Sequence, residues 1–215
     1  MSSPLRAMRL LGLLLPLSRG LSTNSVAVAT RRWVERVVIG KKLCPWASAV
    51  QTTMRISVLQ EYTSNEWKRG NAAKQIDLTS AILTEATKLS RLGPQHTTLV
   101  VLPNFSDCFD SYLEVTSAVE GLLETEQLSS LIQVATFHPL YLFQDSSPDD
   151  PSNYSNRSPY PIVHLLKAPD VTEAIRQWEA TGQSTDTIWK ANIERMRSAG
   201  IKALRQLLED TKRDP

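Results

Sequence analysis

The hydrophobic positions of this 215-residue chain follow two different periods. In one set of segments apolar side chains recur every three or four residues, which is the spacing of one helix face. The helices predicted in this way cover residues 26–43, 72–92, 107–123, 170–178 and 185–208, the last with an interruption at Gly200. Ser106 or Asp107 is expected to cap the third of these helices, and Asp170 the fourth. A further short helix is expected to begin at Pro45, because proline fits the first turn of a helix. The polar residues 62–71 are expected to form a loop.

Short β-branched or alternating runs between the helices predict four strands. These runs lie at residues 54–60, 97–102, 131–137 and 160–166. Helices separate the first three strands, which favours crossover connections and a layered α/β sheet. No helix is predicted between the last two strands, so we expect these two to pair antiparallel. The predicted fold is therefore α/β (α+β): a mixed four-stranded sheet layered with helices.

A long polar loop is predicted between the last two strands, within the sequence FHPLYLFQDSSPDDPSNYSNRSPYPIVHLLK of residues 137–167. Irregular segments longer than about 12–15 residues are uncommon in compact domains and are often functional. The loop concentrates imidazole, carboxylate, amide and guanidinium groups, and we predict that it is the functional region. Its candidate catalytic residues are His138, Asp150 and Arg157. Its candidate ligand-binding residues are Asn153, Asn156, Ser158 and Tyr160.

The first 25 residues differ in composition from the rest of the chain. They contain Arg6, Arg9 and Arg19, several serines and no acidic residue. This composition is typical of a mitochondrial or plastid transit peptide. The apolar run LLGLLLPL also fits a secretory signal, so secretion is the alternative, and the run is shorter than the roughly 20 residues that span a bilayer. We expect a targeting peptide at residues 1–25 and a single α/β domain over residues 26–215.

Neither the charge nor the motifs of the sequence indicate nucleic acid, a membrane span or a particular cofactor. The net charge of +2 gives no argument for nucleic-acid binding, and no segment is predicted to span a membrane. Cys44 and Cys108 lie far apart and indicate free thiols rather than a disulfide framework. Cys108 is interpreted as a helix-face residue without special neighbours. The sequence contains no Rossmann glycine pattern, no phosphate-binding loop and no nucleophile elbow, so it indicates no particular cofactor.

His138 has two interpretations. It follows a strand and precedes Pro139, which fixes an extended exit that can aim the imidazole at the loop. The imidazole can serve as a general acid or base near neutral pH, or it can hold the loop by hydrogen bonds. His164 lies within the next strand and is interpreted as a core histidine. If the strands pair in register, the two histidines lie on the order of 10 Å apart, so a shared metal ion requires an offset register.

Cys44 and Arg157 also have two interpretations each. Cys44 is a candidate nucleophile if Pro45 opens a helix, because the helix dipole then lowers the pKa of the thiol; otherwise it is a buried structural cysteine. The Arg157 guanidinium suits a carboxylate or phosphate ligand, or it clamps the loop by pairing with Asp149 or Asp150. These two acids are a candidate base or metal ligand, or they cap backbone amides.

Two blocks of the sequence resemble a known family. They are VIGKKLCPWA and FHPLYLF…DD…NYSNRSPYPIVHLLK, and they are similar to the uncharacterised family called domain of unknown function 1415. The resemblance runs from about residue 30 to residue 200. The chain departs from the family's usual residues at Lys41, Lys42, Trp46 and Ser155. These departures leave the polar core of the motif intact, and the resemblance implies the fold and the location of the site but no reaction.

Two functions are compatible with these residues. The first is an enzyme that acts on a small anionic substrate by hydrolysis or group transfer. In it Arg157 anchors the substrate, His138 moves a proton, and Asp150 and Cys44 assist. The second is a non-catalytic ligand-binding or assembly module. A catalytic site predicts a cavity that joins the histidine to an acid, with a perturbed pKa. A binding module predicts that Arg157 and the asparagines are exposed and that His138 is merely packed.

Overall fold

The computed structural model describes residues 22–213, and its four strands form one sheet. The strands are β1 (Met54–Val58), β2 (Thr97–Val101), β3 (Ile132–Phe137) and β4 (Ile162–Lys167), in the spatial order β1-β2-β4-β3. β1 and β2 run parallel, while β4 is antiparallel to both of its neighbours. The predicted mixed four-stranded sheet, with an antiparallel last pair, is confirmed.

Helices cover both faces of this sheet. Within the described residues they are α1 (Thr23–Trp33), α2 (Ser64–Lys68), α3 (Ala72–Ser90), α4 (Phe109–Thr125), α5 (Ala168–Ala180), α6 (Asp186–Ala199) and α7 (Ile201–Lys212). Gly200 has a φ of 76° and separates α6 from α7, at the predicted interruption. α2 lies where a loop was predicted, because the Thr63 hydroxyl accepts a hydrogen bond from the Glu66 amide and starts a helical turn.

The predicted targeting peptide lies almost entirely outside the described residues. α1 begins at Thr23, capped by the Ser22 hydroxyl, so the first helix starts before residue 26.

Both cysteines are free thiols. Among residues 22–213, no helix has the length and apolar character needed to cross a membrane.

A π-helix, Val34–Ile39, continues directly from α1. π-helical turns are rare and often occur at functional positions. The Gly40 amide donates to the Glu35 carbonyl at 3.0 Å, and a Cβ on Gly40 would lie 2.5 Å from the Arg36 carbonyl oxygen. The helix predicted from Pro45 is wrong: residues 45–53 form a series of turns, in which amides bond the carbonyl three residues earlier.

Two glycines give a matched test of the close contact between Gly40 and the Arg36 carbonyl. Gly40→Ala is expected to lower the free energy of unfolding by about 1–3 kcal/mol, because the main chain of the π-helix must shift to admit the methyl group. Gly121→Ala is the control, since a Cβ on Gly121 meets no atom within 4 Å. Replacing this mid-helix glycine of α4 should raise the free energy of unfolding by about 0.5–1 kcal/mol. Urea denaturation measures both, and a stabilising Gly40→Ala would contradict the expectation.

The hydrophobic core lies on both faces of the sheet. α1, the π-helix and α7 cover one face, where Trp33, Leu99 and Ile162 are buried. α3 and α4 cover the other face, where Tyr112 and Val163 are buried. The segment between β3 and β4 emerges at one end of this core, so the sheet fixes where both of its ends lie.

Tyr112 of α4 fixes the point where β3 and β4 separate. Its hydroxyl donates to the Ile162 carbonyl at 2.6 Å and accepts from the Phe137 amide at 3.1 Å. These are facing residues of the two strands. Desolvation by burial raises the pKa of Tyr112 far above its ordinary value, so the phenol keeps the proton that it donates.

Two predicted helix caps are wrong. The N-cap of α4 is Cys108 rather than Ser106 or Asp107. α5 begins at Ala168, and the Asp170 side chain in its first turn accepts from the Gln95 amide at 2.7 Å. The Asp107 carboxylate instead accepts from the Ser64 hydroxyl at 2.7 Å. Asp107 and Asp170 thus each make a tertiary hydrogen bond in place of the local cap that their residue type favours.

Candidate functional site

A cavity of about 610 Å³ lies between α6 and the polar loop, which we define as residues 138–161. Pockets that hold small molecules commonly have volumes of about 300–1,000 Å³. The loop wall includes Phe143, Gln144, Asp145, Asp150, Ser155 and Asn156. The α6 wall consists of Trp189, Asn192, Ile193 and Arg197. Of the residues predicted from sequence, Asp150 and Asn156 line this cavity, whereas His138, Arg157 and Cys44 do not.

An ion pair between Asp150 and Arg197 joins the two walls. Arg197 Nη2 donates to Asp150 Oδ2 at 2.7 Å, and Arg197 Nε donates to Oδ1 at 3.3 Å. Asp150 Oδ1 also accepts from the Ser152 amide at 2.8 Å and caps the 3₁₀ turn Pro151–Ser155. The Arg197 guanidinium and the Ser152 amide hold the pKa of Asp150 well below its ordinary value. The carboxylate therefore stays charged and links the loop to α6.

α6 is also held from its other side. Asn192 Nδ2 donates to the Leu43 carbonyl at 2.8 Å, and Arg195 Nη1 donates to the Lys42 carbonyl at 3.2 Å. Met196 is fully buried against the core. The helix wall of the cavity is thus anchored to the turn that follows the π-helix, in the first of the two sequence blocks.

The Arg157 guanidinium is bound within the loop. Its Nε donates to the Tyr141 carbonyl at 3.2 Å and its Nη2 to the Pro148 carbonyl at 3.0 Å. Cζ lies 4.7 Å from the centroid of the Tyr154 ring, and the Arg157 carbonyl accepts from Trp33 Nε1 at 3.1 Å. Arg157 therefore clamps the loop, but it does so through main-chain carbonyls and not through either predicted acid.

His138 is fully buried at the start of the loop. Its Nδ1 accepts from the Leu140 amide at 3.0 Å, which assigns the proton to Nε2, and Nε2 donates to the Phe105 carbonyl at 3.0 Å. The rings of Phe109 and Tyr112 each lie 5.1 Å from the imidazole, centroid to centroid. Desolvation by burial lowers the pKa of His138 to about 4, so the ring is neutral at pH 7 with both nitrogens engaged.

Asn153 is fully buried, so the exposure that a binding module predicts is wrong for this asparagine. Its side chain makes three hydrogen bonds inside the loop. Its Oδ1 accepts from the Phe143 amide at 3.1 Å and from the Ser146 hydroxyl at 2.6 Å. Its Nδ2 donates to the Ser147 carbonyl at 2.8 Å. The side chain thus ties the segment that carries Phe143 to the 3₁₀ turn, and it supports the cavity wall from behind.

Asn156, Ser158 and Tyr160 also bond within the protein. Asn156 Nδ2 donates to the Thr136 carbonyl at 3.2 Å, and the Asn156 carbonyl accepts from the His138 amide at 3.1 Å. The buried Ser158 hydroxyl donates to the Tyr160 carbonyl. The Tyr160 ring is buried at the end of the loop. The ligand-binding roles of these residues stay predictions.

Cys44 lacks the helix N-terminus that its interpretation as a nucleophile required, and the surroundings of Cys108 differ from the interpretation of that residue. Because Pro45 opens no helix, Cys44 is not an N-cap, and desolvation by burial raises the pKa of its thiol. Cys108 has special neighbours: its Sγ donates to the Ser111 hydroxyl at 3.3 Å, and Ser111 and the Lys68 ammonium lower the pKa of this thiol. At neutral pH the thiolate form is therefore more accessible at Cys108 than at Cys44.

His164 lies in β4, three residues deeper in the sheet than the loop. The register pairs Phe137 with Ile162 and His164 with Ala135, without an offset. His164 Nε2 lies 2.6 Å from the Thr97 hydroxyl, and burial lowers the pKa of the imidazole to about 4. Residues 22–213 hold no group of three or more histidine, cysteine or acidic side chains arranged to bind a metal ion.

The α6 wall was missed in the sequence. Trp189, Ile193 and Met196 recur at helical spacing, so the pattern predicts that all three are core residues. Met196 is fully buried, whereas the Trp189 side chain is 52% exposed and lines the cavity. The available signal was the polar composition of α6, whose sequence DTIWKANIERMRSA offers few apolar residues for a core-facing stripe.

Comparison with known proteins identifies a family but no activity. Neither a curated protein nor a solved structure matches the chain. The model of the family described as "Protein of unknown function (DUF1415)" matches residues 25–206, which include both sequence blocks and both walls of the cavity. Since this match covers most of the chain, the protein belongs to the DUF1415 family.

Proposed function

We propose that this protein is a non-catalytic binding module and that its ligand is a small organic molecule held between the polar loop and α6. The cavity carries the proposal. Phe143, Trp189 and Ile193 supply apolar surface, and the exposed Gln144 side chain supplies an amide group. Small-molecule sites combine apolar and aromatic walls with a few polar groups in this way.

The exposed aromatic side chains support the same conclusion. Trp189 is 52% exposed and Phe143 is 37% exposed. Large aromatic side chains gain free energy when they are removed from water. A ligand that covers both rings would obtain that gain without any rearrangement of the core.

The enzyme interpretation has less support. Both ring nitrogens of His138 are occupied by main-chain hydrogen bonds. The Cys44 thiol has a raised pKa, and the Asp150 carboxylate is engaged by Arg197. The sequence-based hypothesis of a small anionic substrate rests on Arg157, whose guanidinium bonds loop carbonyls.

An NMR screen of aromatic fragments tests the proposal on the full chain. We expect bound fragments to shift the indole N–H signal of Trp189 and the amide signals of residues 143–146. Trp189→Ala should abolish or strongly weaken binding, because it removes the largest apolar surface of the cavity. Ile76→Ala is the control, since Ile76 is 63% exposed on α3 and does not line the cavity. Fragments that bind elsewhere, unchanged binding in Trp189→Ala, or no binding at all would contradict the proposal.

A further inference from the structure

The walls of the cavity carry two carboxylates and one guanidinium. Asp145, Asp150 and Arg197 line the cavity, and Arg197 holds Asp150 in a two-point ion pair. Asp145 has no hydrogen-bond or ion-pair partner among the described residues, and its side chain is exposed. The charge that the walls leave unpaired is therefore one carboxylate.

The aromatic wall favours the same sign of ligand charge. The face of an indole ring attracts cations that lie within about 6 Å of the ring centroid. Lys190 Nζ lies 5.5 Å from the centroid of the Trp189 ring, so this ring already stabilises a cation. An ammonium or guanidinium group in the cavity would meet the same ring and the unpaired Asp145 carboxylate.

We infer that the cavity selects an organic cation: an amine or guanidinium carried on a flat apolar group that lies against Trp189 and Phe143. This inference rests on the proposed function, because it assigns a ligand class to the same cavity. It replaces the anion that the loop sequence suggested. An anion would meet the unpaired Asp145, and the Arg197 charge that would attract it is already offset by the Asp150 carboxylate.

The Lys190 side chain opposes the ligand and gives the inference a second test. Its ammonium is exposed and does not line the cavity, yet it lies over the ring that the ligand needs. A ligand cation must therefore push the Lys190 ammonium aside or bind near it against repulsion. Lys190→Gln should consequently tighten the binding of a cation and leave a neutral ligand unaffected.

Three probes with one ring and different charges test the selectivity: benzylammonium, benzyl alcohol and benzoate at pH 7 and low salt. NMR titrations that follow the Trp189 indole signal give a Kd for each. Benzylammonium is expected to bind about fivefold more tightly than benzyl alcohol, as one exposed cation–π contact and one exposed ion pair allow. Benzoate is expected to bind least tightly.

Variants identify the groups responsible. Asp145→Asn should reduce the preference for benzylammonium, and Trp189→Leu should remove the cation–π part of it. Asp149→Asn is the matched control, because it removes the same charge from an exposed neighbour that does not line the cavity. Equal Kd values for the three probes, tightest binding of benzoate, or equal effects of Asp145→Asn and Asp149→Asn would overturn the inference while the proposed function stands. Absence of any shift at Trp189 with all three probes would instead remove the proposed function itself.

Discussion

Asn153→Ala is expected to lower the free energy of unfolding by about 2–4 kcal/mol, and to lower the Tm by roughly 4–16 °C. The substitution removes three hydrogen bonds from a fully buried side chain. It leaves the Phe143 amide and the Ser147 carbonyl without these partners, and unsatisfied groups of this kind cost more than the bonds themselves. Urea denaturation and thermal melts at pH 7 measure the loss.

Two further variants show whether the loss comes from the hydrogen bonds. Asn153→Asp preserves the shape but replaces the donor to Ser147 with an oxygen, so it should also destabilise at pH 7. Asn65→Ala changes an exposed asparagine of α2 and should alter stability by less than about 0.5 kcal/mol. If Asn153→Asp were as stable as the natural protein, the bond to the Ser147 carbonyl would contribute little.

The same residue connects stability to the cavity. Asn153 Oδ1 bonds the Phe143 amide and the Ser146 hydroxyl, and both residues line the cavity. Loss of the side chain should therefore weaken fragment binding even where the protein stays folded. The buried Asn153 side chain holds the loop in shape, and its exposed neighbours form the surface that the proposed ligand would meet.

The sheet could be predicted from the sequence because burial of apolar faces specifies register. A shift of one residue between β3 and β4 would move every buried side chain to the opposite face. The observed pairing of Phe137 with Ile162 therefore follows from the apolar runs and from the loop between them. The apolar runs on either side also located the loop. The interruption at Gly200 was predictable because glycine readily adopts a positive φ, here 76°.

The π-helix and the N-cap of α4 could not be predicted in this way. Apolar residues between residues 26 and 43 fit a helical period whether the backbone is α or π. At α4, Ser106 and Asp107 are better capping residues than Cys108, yet the 3₁₀ turn Pro103–Phe105 places the start of the helix one residue later. Neither outcome follows from residue type or from the hydrophobic period alone.

The roles of the loop side chains were the hardest to predict. A sequence shows that Arg157 and Asn153 are polar, but it does not show whether a ligand or the loop's own backbone satisfies them. A long irregular segment has many main-chain groups without a ladder partner, and these groups must be satisfied when they are buried. Here Arg157 and Asn153 bond several of them, which explains why an unusual polar motif serves the shape of the loop.

Acidification from pH 7 to pH 5 is expected to reduce the free energy of unfolding by about 2 kcal/mol through His138 alone. Burial lowers the pKa of this imidazole from 6.5 to about 4 in the folded protein. Between these two values the unfolded chain binds more protons than the folded one, so stability falls as the pH falls. The contribution is complete above pH 6.5, the ordinary value, and declines toward the folded value near pH 4. His164 acts in the same direction, because burial lowers its pKa to about 4 as well.

His138→Gln separates the two histidines. The variant keeps a donor for the Phe105 carbonyl but does not titrate, so its stability should depend less on pH between 7 and 5, with the remaining slope due to His164. Urea denaturation at a series of pH values gives the slope, and ¹⁵N shifts of the imidazole report the tautomer directly. A slope equal to that of the natural protein, or a His138 that titrates near its ordinary pKa, would contradict the buried neutral ring. In that case a nitrogen of His138 would be accessible to protons, and general acid–base chemistry at the loop would regain its support.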